Sequence, residues 1–251
     1  MHELLKPIKT ESLKDVCIAR LEALILSGKL HIGQKLPSER ELALQLGVSR
    51  PVVHEGLVDL AAKGLVSMRP RVGTVVNDFR KEGSLALLTA LVNHNQGMPD
   101  LELLKSLLEM RMLFEVETAR LAALNRKKVH LRTFDKMIEE EQKVDIKETE
   151  RISELDFKFH HTIAMASGNI IYPLLLNSFK QFYLNLAGQF FSDPAMATEV
   201  FRLHRDLVFA VRKRDEQQAI HVMQCLLGHG ELHLKKMISD QSQGDGELTQ
   251  V

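Results

Sequence analysis

Leu36-Pro37-Ser38-Glu39-Arg40-Glu41-Leu42, followed by Leu46-Gly47-Val48-Ser49-Arg50-Pro51, is the stretch on which the reading of this chain turns. Ser38 can cap a helix, and Glu41, three residues on, can complete a capping box. A short helix over Glu39–Leu46 comes next and stops at Gly47. Ser49 is placed to cap the next helix, and Pro51 is tolerated in a first turn, where a backbone N–H is not needed. Two helices of these lengths joined through Gly47-Val48-Ser49 make a helix-turn-helix.

Working outward, Ser12–Leu26 spaces its apolar residues at helical intervals and ends near Gly28, which gives a preceding helix. On the other side the third helix ends near Lys63-Gly64. Leu65-Val66-Ser67-Met68 and Thr74-Val75-Val76 then read as short strands around a turn holding Arg69, Pro70, Arg71 and Gly73, which is a wing. From about Glu82 long 3.6-period segments succeed one another, at roughly 83–95, 100–124, 130–145, 148–167, 170–190, 195–213 and 215–239. The fold class expected is mainly α: an N-terminal winged helix-turn-helix with a small β wing over 1–78, and a C-terminal antiparallel helical bundle over 79–239. Residues 240–251 are polar and read as a disordered tail.

Of the 251 residues, 45% are hydrophobic and 26% charged, and no apolar run approaches the ~18 residues of a membrane span. The start has no secretory pattern, and Cys17 and Cys225 are far apart, so a cytoplasmic protein with reduced thiols and no membrane partner is expected. Formal net charge is zero, which argues against a general basic coat. Residues 1–78 carry 11 Lys/Arg against 9 Asp/Glu, so any DNA contact must come from a few placed cations.

The Leu36–Leu42 and Leu46–Arg50 motifs, with Lys63-Gly64-Leu65-Val66, resemble the GntR family of bacterial regulators. The resemblance implies that Arg40, Ser49 and Arg50 touch the operator, with the third helix in the major groove. Arg can pair bidentately with guanine, and Ser can donate to a phosphate or base edge. The bland alternative for Arg40 is a solvated pair with Glu39 or Glu41. His54 stands where family members often carry another Arg, and Arg71-Val72-Gly73 replaces a Gly-rich wing tip; these positions, with Arg69, complete the DNA-facing set. One such helix reads only a few base pairs, so a homodimer on a palindromic double-stranded operator is expected.

The part from Val75 to Met237 resembles the FadR subgroup of that family, carried by Glu154-Leu155-Asp156-Phe157-Lys158-Phe159-His160 and Ala164-Met165-Ala166-Ser167-Gly168-Asn169. In a large branch of the subgroup an Asp, a His four residues on and two later His hold a divalent metal. The resemblance places Asp156, His160 and His204 in that role, and the i, i+4 spacing puts the first two on one helix face. The fourth ligand falls at Leu226, with His229 three residues further along. Zn, Ni or Mn suits imidazole plus carboxylate; a buried hydrogen-bonded network without metal is the alternative. His161, His221 and His233 read as surface residues.

A second likeness, over Asn169-Ile170-Ile171-Tyr172, Leu176-Asn177, Lys180, Tyr183 and Phe191-Ser192-Asp193-Pro194, is to the acyl-CoA-responsive type, which has no metal. Phe179, Phe182, Phe190, Phe191 and Met223 could line a pocket or simply fill the core. Arg111 is the cation expected to meet an effector carboxylate, against a plain salt bridge to Glu115. With Asn177 and Tyr183 it forms the effector-facing set.

The function expected is a transcription regulator, a repressor, controlled by a small carboxylate metabolite with a divalent metal. A fatty acyl-CoA-responsive regulator without metal is the alternative. A metal-dependent hydrolase is a remote third, since only Glu154 lies near as a general base and it falls on another helix face.

Overall fold

Ser12 starts the first helix, its Oγ accepting from the Asp15 N–H at 3.1 Å, and α1 runs Leu13–Leu26. Before α2, Glu39–Leu46, the capping box forms in both directions: the Glu41 N–H donates to Ser38 Oγ at 3.3 Å and the Ser38 N–H to the Glu41 carboxylate at 2.8 Å. Gly47, at φ +68°, ends that helix. Ser49 occupies the cap position of α3, Arg50–Ala62, with Pro51 in the first turn, but its hydroxyl makes no capping bond. The capping role expected for that side chain is therefore not taken up. Strands β1, Val66–Arg69, and β2, Gly73–Val76, pair antiparallel from Val66↔Val76 to Arg69↔Gly73. A short α4, Phe79–Glu82, and α5, Ala86–His94, come after them.

The structure, a computed structural model, describes residues 12–94 and 101–247. Contacts divide the chain into two compact units, Met1–Gln96 and Gly97–Val251. In the first, Leu21, Ile25, Val53, Leu57, Leu60, Leu65 and Val76 make the core. Val53, Leu57 and Leu60 are wholly buried, and truncating one Leu to Ala would cost about 2–5 kcal/mol. Leu87 and Ala90 of α5 enter the same core, so the helix that periodicity assigned to the C-terminal domain belongs with the N-terminal unit. Its apolar spacing looks the same whichever core receives it.

The end of α3 is fixed by residues beyond the wing. Asn77 Nδ2 donates to the Gly64 carbonyl at 3.1 Å, while Ser84 gives its N–H to Lys63 O at 3.1 Å and its hydroxyl to Ala62 O at 3.0 Å. Gly64 sits at φ +80° with the Glu82 carbonyl lying where a Cβ would be, so no other residue fits without moving α4.

The second unit is all helical: α6 Leu101–Asn125, α7 Lys128–Glu141, α8 Thr149–Ala166, α9 Ile171–Ser178, α10 Lys180–Phe190, α11 Pro194–Lys213 and α12 Glu216–Glu247. Helix α6 packs on α8, α11 and α12, while α7 and α10 both lie against α8. Phe134, Phe159, Ile152, Ile163, Leu207 and Met223 are nearly or wholly buried in this core, as are Phe190 and Phe191. The single helix expected over 170–190 is broken at Phe179, whose φ −100° and ψ 0° serve as the end of α9 and the start of α10. No Pro or Gly marks the break, and apolar spacing continues through it. Helix α12 runs to Glu247, through most of the stretch read as a tail; 248–251 lie outside the described residues.

Candidate functional site

Two groups of side chains stand out, one in each unit. On α2 and α3, Glu39 accepts from Arg50 Nε at 3.0 Å and from His54 Nδ1 at 2.7 Å. A carboxylate has no proton to give, so Nδ1 of His54 carries the hydrogen, and the side chain stays 53% exposed. The hydrogen bond from His54, then that from Arg50, hold the Glu39 carboxyl below its ordinary range. Arg50 spends only Nε on this contact and stays 72% exposed, so both terminal amino groups are available to an outside acceptor. The pairing considered for Arg40 thus falls on Arg50: Arg40 is exposed and forms no ion pair among the described residues. Ser49 is exposed with its hydroxyl uncommitted to the cap.

Arg69 and Arg71 are exposed at the wing. The Val72 N–H donates to the Arg69 carbonyl at 3.2 Å, closing a turn with Pro70 second and Arg71 third. Arg71 adopts φ +66°, which is the third position of a type II turn and favours Gly.

The second group is buried between α6, α7, α8, α10 and α11. Asp156, His160 and His204 are 6%, 2% and 0% exposed, and each offers a ligand atom within 4.8 Å of the others. Asp156 Oδ1 lies 3.4 Å from His204 Nε2 and 3.9 Å from His160 Nε2. Behind the rings stand two buried carboxylates: Glu141 holds His204 Nδ1 at 2.7 Å, and Glu115 faces His160 Nδ1. Tyr183 donates to Asp156 Oδ2. Arg111 pairs with Glu115, donates to the Tyr183 hydroxyl at 2.9 Å and brings Nη2 to 3.5 Å from His160 Nε2. Both readings of Arg111 hold together, since the salt bridge forms and the guanidinium still faces the cluster.

Electrostatics explain the protonation states. Burial alone would raise Asp156, but the hydrogen bond with His204 and the charges of His160, His204 and Arg111 hold it at about 2. Glu115 is likewise raised by burial and carried down to about 2 by Arg111 and His160. Burial lowers His204, yet the charge of Glu141 and hydrogen bonds to Asp156 and Glu141 lift it to about 9. The Tyr183 hydroxyl is pushed well up, burial first.

Three carboxylates, Glu115, Asp156 and Glu141, against one guanidinium leave the pocket short of two positive charges when both imidazoles are neutral. Two imidazoliums or one divalent cation would balance it. The donors fit such a cation, being two imidazole nitrogens and a carboxylate oxygen. The Glu141 carboxylate on Nδ1 of His204 aims that ring's Nε2 lone pair inward, as orienting partners of metal-binding histidines do, and Glu115 stands beside Nδ1 of His160. Glu141 Oε2 is buried without a hydrogen-bond partner, and His204 Nε2 faces the Asp156 carboxylate oxygen.

Other expected residues fall elsewhere. Leu226 is buried and offers no donor atom. His229 is outside the cluster, its ring edge-on to Phe190 at 5.9 Å. Asn177 is exposed. His161, read as a surface residue, is half-buried against Phe157, with Nε2 buried and unpartnered; His221 is exposed, and the side chain of His233 lies outside the described residues. Glu154 is 64% exposed and pairs with Arg151, so it cannot serve the cluster as a base. Sequence reasoning reached Glu115 only as a partner for Arg111 and missed Glu141, which ends the acidic run Glu139-Glu140-Glu141 and reads as solvated surface.

Residues 13–76 match the profile of the bacterial regulatory proteins of the gntR family, and residues 77–237 match that of the FadR C-terminal domain. The chain belongs to the GntR family. Among relatives of this GntR regulator, the HTH-type transcriptional regulator Mce2R of Mycobacterium tuberculosis is 31% identical over 245 residues, 95% of this chain and 98% of that protein. The fatty acid metabolism regulator protein of Proteus mirabilis is 29% identical over 201 residues, covering 79% and 80%. The solved structure of Lar from Listeria monocytogenes is similar in fold, with a TM-score of 0.58 at 16% identity over 91% of this chain and 99% of that one. This GntR regulator is therefore a DNA-binding transcription regulator and not an enzyme. Among its described residues no helix is long and apolar enough to cross a membrane.

Proposed function

We propose that this chain is a homodimeric cytoplasmic repressor that binds a palindromic operator through Arg40, Ser49, Arg50, His54 and the wing arginines. A small carboxylate metabolite held in the C-terminal unit controls it, with Asp156, His160 and His204 holding a divalent Zn, Ni or Mn ion. One observation carries the reading. Both histidines have Nδ1 on a buried carboxylate and Nε2 turned to one oxygen of Asp156, beside the Arg111 guanidinium. A bound divalent ion would supply a second positive centre next to Arg111 for an anionic effector. Arg111 and Tyr183 would orient the carboxylate, and the apolar shell of Phe157, Phe159 and Phe201 excludes water.

Control requires the effector to bind the DNA-gripping and DNA-releasing arrangements unequally. The segment 77–95, whose α5 joins the core of the N-terminal unit, is the proposed transmission element between DNA reading and the effector-binding bundle. Asn77 and Ser84 already hold the last carbonyls of α3, so a pull on this segment would be felt by the reading helix.

A second reading is favoured by the name of the Proteus mirabilis relative: a fatty acyl-CoA effector, no metal, and Arg111 as the resident cation. Elemental mass spectrometry of the purified chain, before and after chelator, separates the two. Near one transition metal per chain, lost in Asp156→Ala, is expected; absence of metal together with acyl-CoA-dependent release of DNA would establish the second reading. Unchanged DNA affinity at saturating organic acids and acyl-CoAs would sink both.

A further inference from the structure

The wing has more strands than its sequence suggests. Residues 33–36 run antiparallel beside β2: the Gly33 N–H donates to Val76 O at 2.8 Å, Val76 N–H to Gln34 O at 2.9 Å and Leu36 N–H to Thr74 O at 2.9 Å, with Lys35 bridged to Val75. Side chains alternate across a sheet. Leu36, Thr74 and Val76 are buried on the inner side, so Lys35 falls on the outer side with Val75, Gly73 and Arg69, which is paired to Gly73 across the hairpin.

Gly73 makes room for the lysine. A Cβ there would lie 3.1 Å from Lys35 Cε and 3.8 Å from Nζ, so the lysine stem crosses the bare glycine and its ammonium reaches the root of the wing turn. Arg69 is on one side and Arg71 at the tip. The segments 29–37 and 65–77 contain no Asp or Glu, and none of the three cations has an ion-pair partner among the described residues. Elsewhere in this unit Arg50 and Lys63 are paired. Like charges gathered on one face of a small sheet disfavour the fold by themselves, and an anion brought to them relieves the repulsion.

We propose that Lys35 is a DNA-phosphate contact delivered by this third wing strand, forming one cationic rim with Arg69 and Arg71. A lysine ammonium is a point charge on a flexible stem, suited to a phosphate oxygen and not to bidentate base reading. The rim would grip any duplex, whereas α3 supplies sequence.

The test is equilibrium binding of the full chain to random-sequence duplex DNA across a salt series. Lys35→Ala is expected to reduce the steepness of log K against log salt by about 0.9, the contribution of one phosphate contact, with Lys35→Arg restoring it. Its melting temperature should match or exceed that of the parent, because a like-charge neighbour is gone. An unchanged salt slope overturns the proposal, as does a loss that Lys35→Arg fails to restore. Should Lys35→Ala not melt cooperatively, Lys35→Gln keeps the stem and is read by the same criterion.

Discussion

Glu39 gathers Arg50 and His54 into one unit, and the pair has different consequences for the two partners. Arg50 keeps its terminal amino groups free, so Arg50→Ala should weaken operator binding by about 1–3 kcal/mol if it reads a base. Titrating the variant on operator and on random DNA checks this: an equal loss on both makes Arg50 a phosphate contact. At the wing tip, Arg71 holds a φ that costs a side-chain-bearing residue roughly 1 kcal/mol relative to Gly. Arg71→Gly is therefore expected to melt higher while binding DNA less tightly, and a variant that loses both would show that the side chain also supports the turn. Residue by residue, the Ser38–Glu41 capping box was fully legible, because both halves of it are local. Glu141 was not, since its partner His204 is far away in sequence and only folding turns it inward.

At the scale of elements, apolar spacing located nearly every helix but neither the break at Phe179 nor the core to which α5 belongs. Both are decided by where the helix axis goes, and spacing along the chain carries no such information. The junction between the reading helix and α4 was equally invisible, yet a pair of glycines exposes it. Gly47 and Gly64 both adopt positive φ, but a Cβ at Gly47 meets nothing within 4 Å while at Gly64 it meets the Glu82 backbone. Gly47→Ala should cost about 1 kcal/mol, the left-handed penalty alone. Gly64→Ala should cost at least about 2 kcal/mol more, because α4 must move. Chemical denaturation of the two variants checks the difference, and equal costs would mean that α4 yields freely and is a poor candidate for transmitting any signal.

For the whole molecule, the buried carboxylates around His160 and His204 in the C-terminal unit link stability to pH and to metal in opposite directions. Without metal, His204 titrates near 9 in the folded chain against about 6.5 when unfolded. A raised imidazole pKa gives stability that is complete below the unfolded value and lost as pH climbs through the folded one, so the metal-free chain should weaken steadily from about pH 6.5 to 9. A divalent ion needs the same nitrogen without its proton, so its stabilisation should grow over that window as competition from protons falls. Thermal melting of chelator-treated chain, alone and with added Zn, Ni or Mn, is expected to give curves that diverge as pH rises. His204→Gln should flatten the metal-free curve and abolish the gap. Parallel curves in the parent chain would leave the cluster as a hydrogen-bonded network balanced by protons, with Arg111 as its resident cation and the effector recognised without a metal.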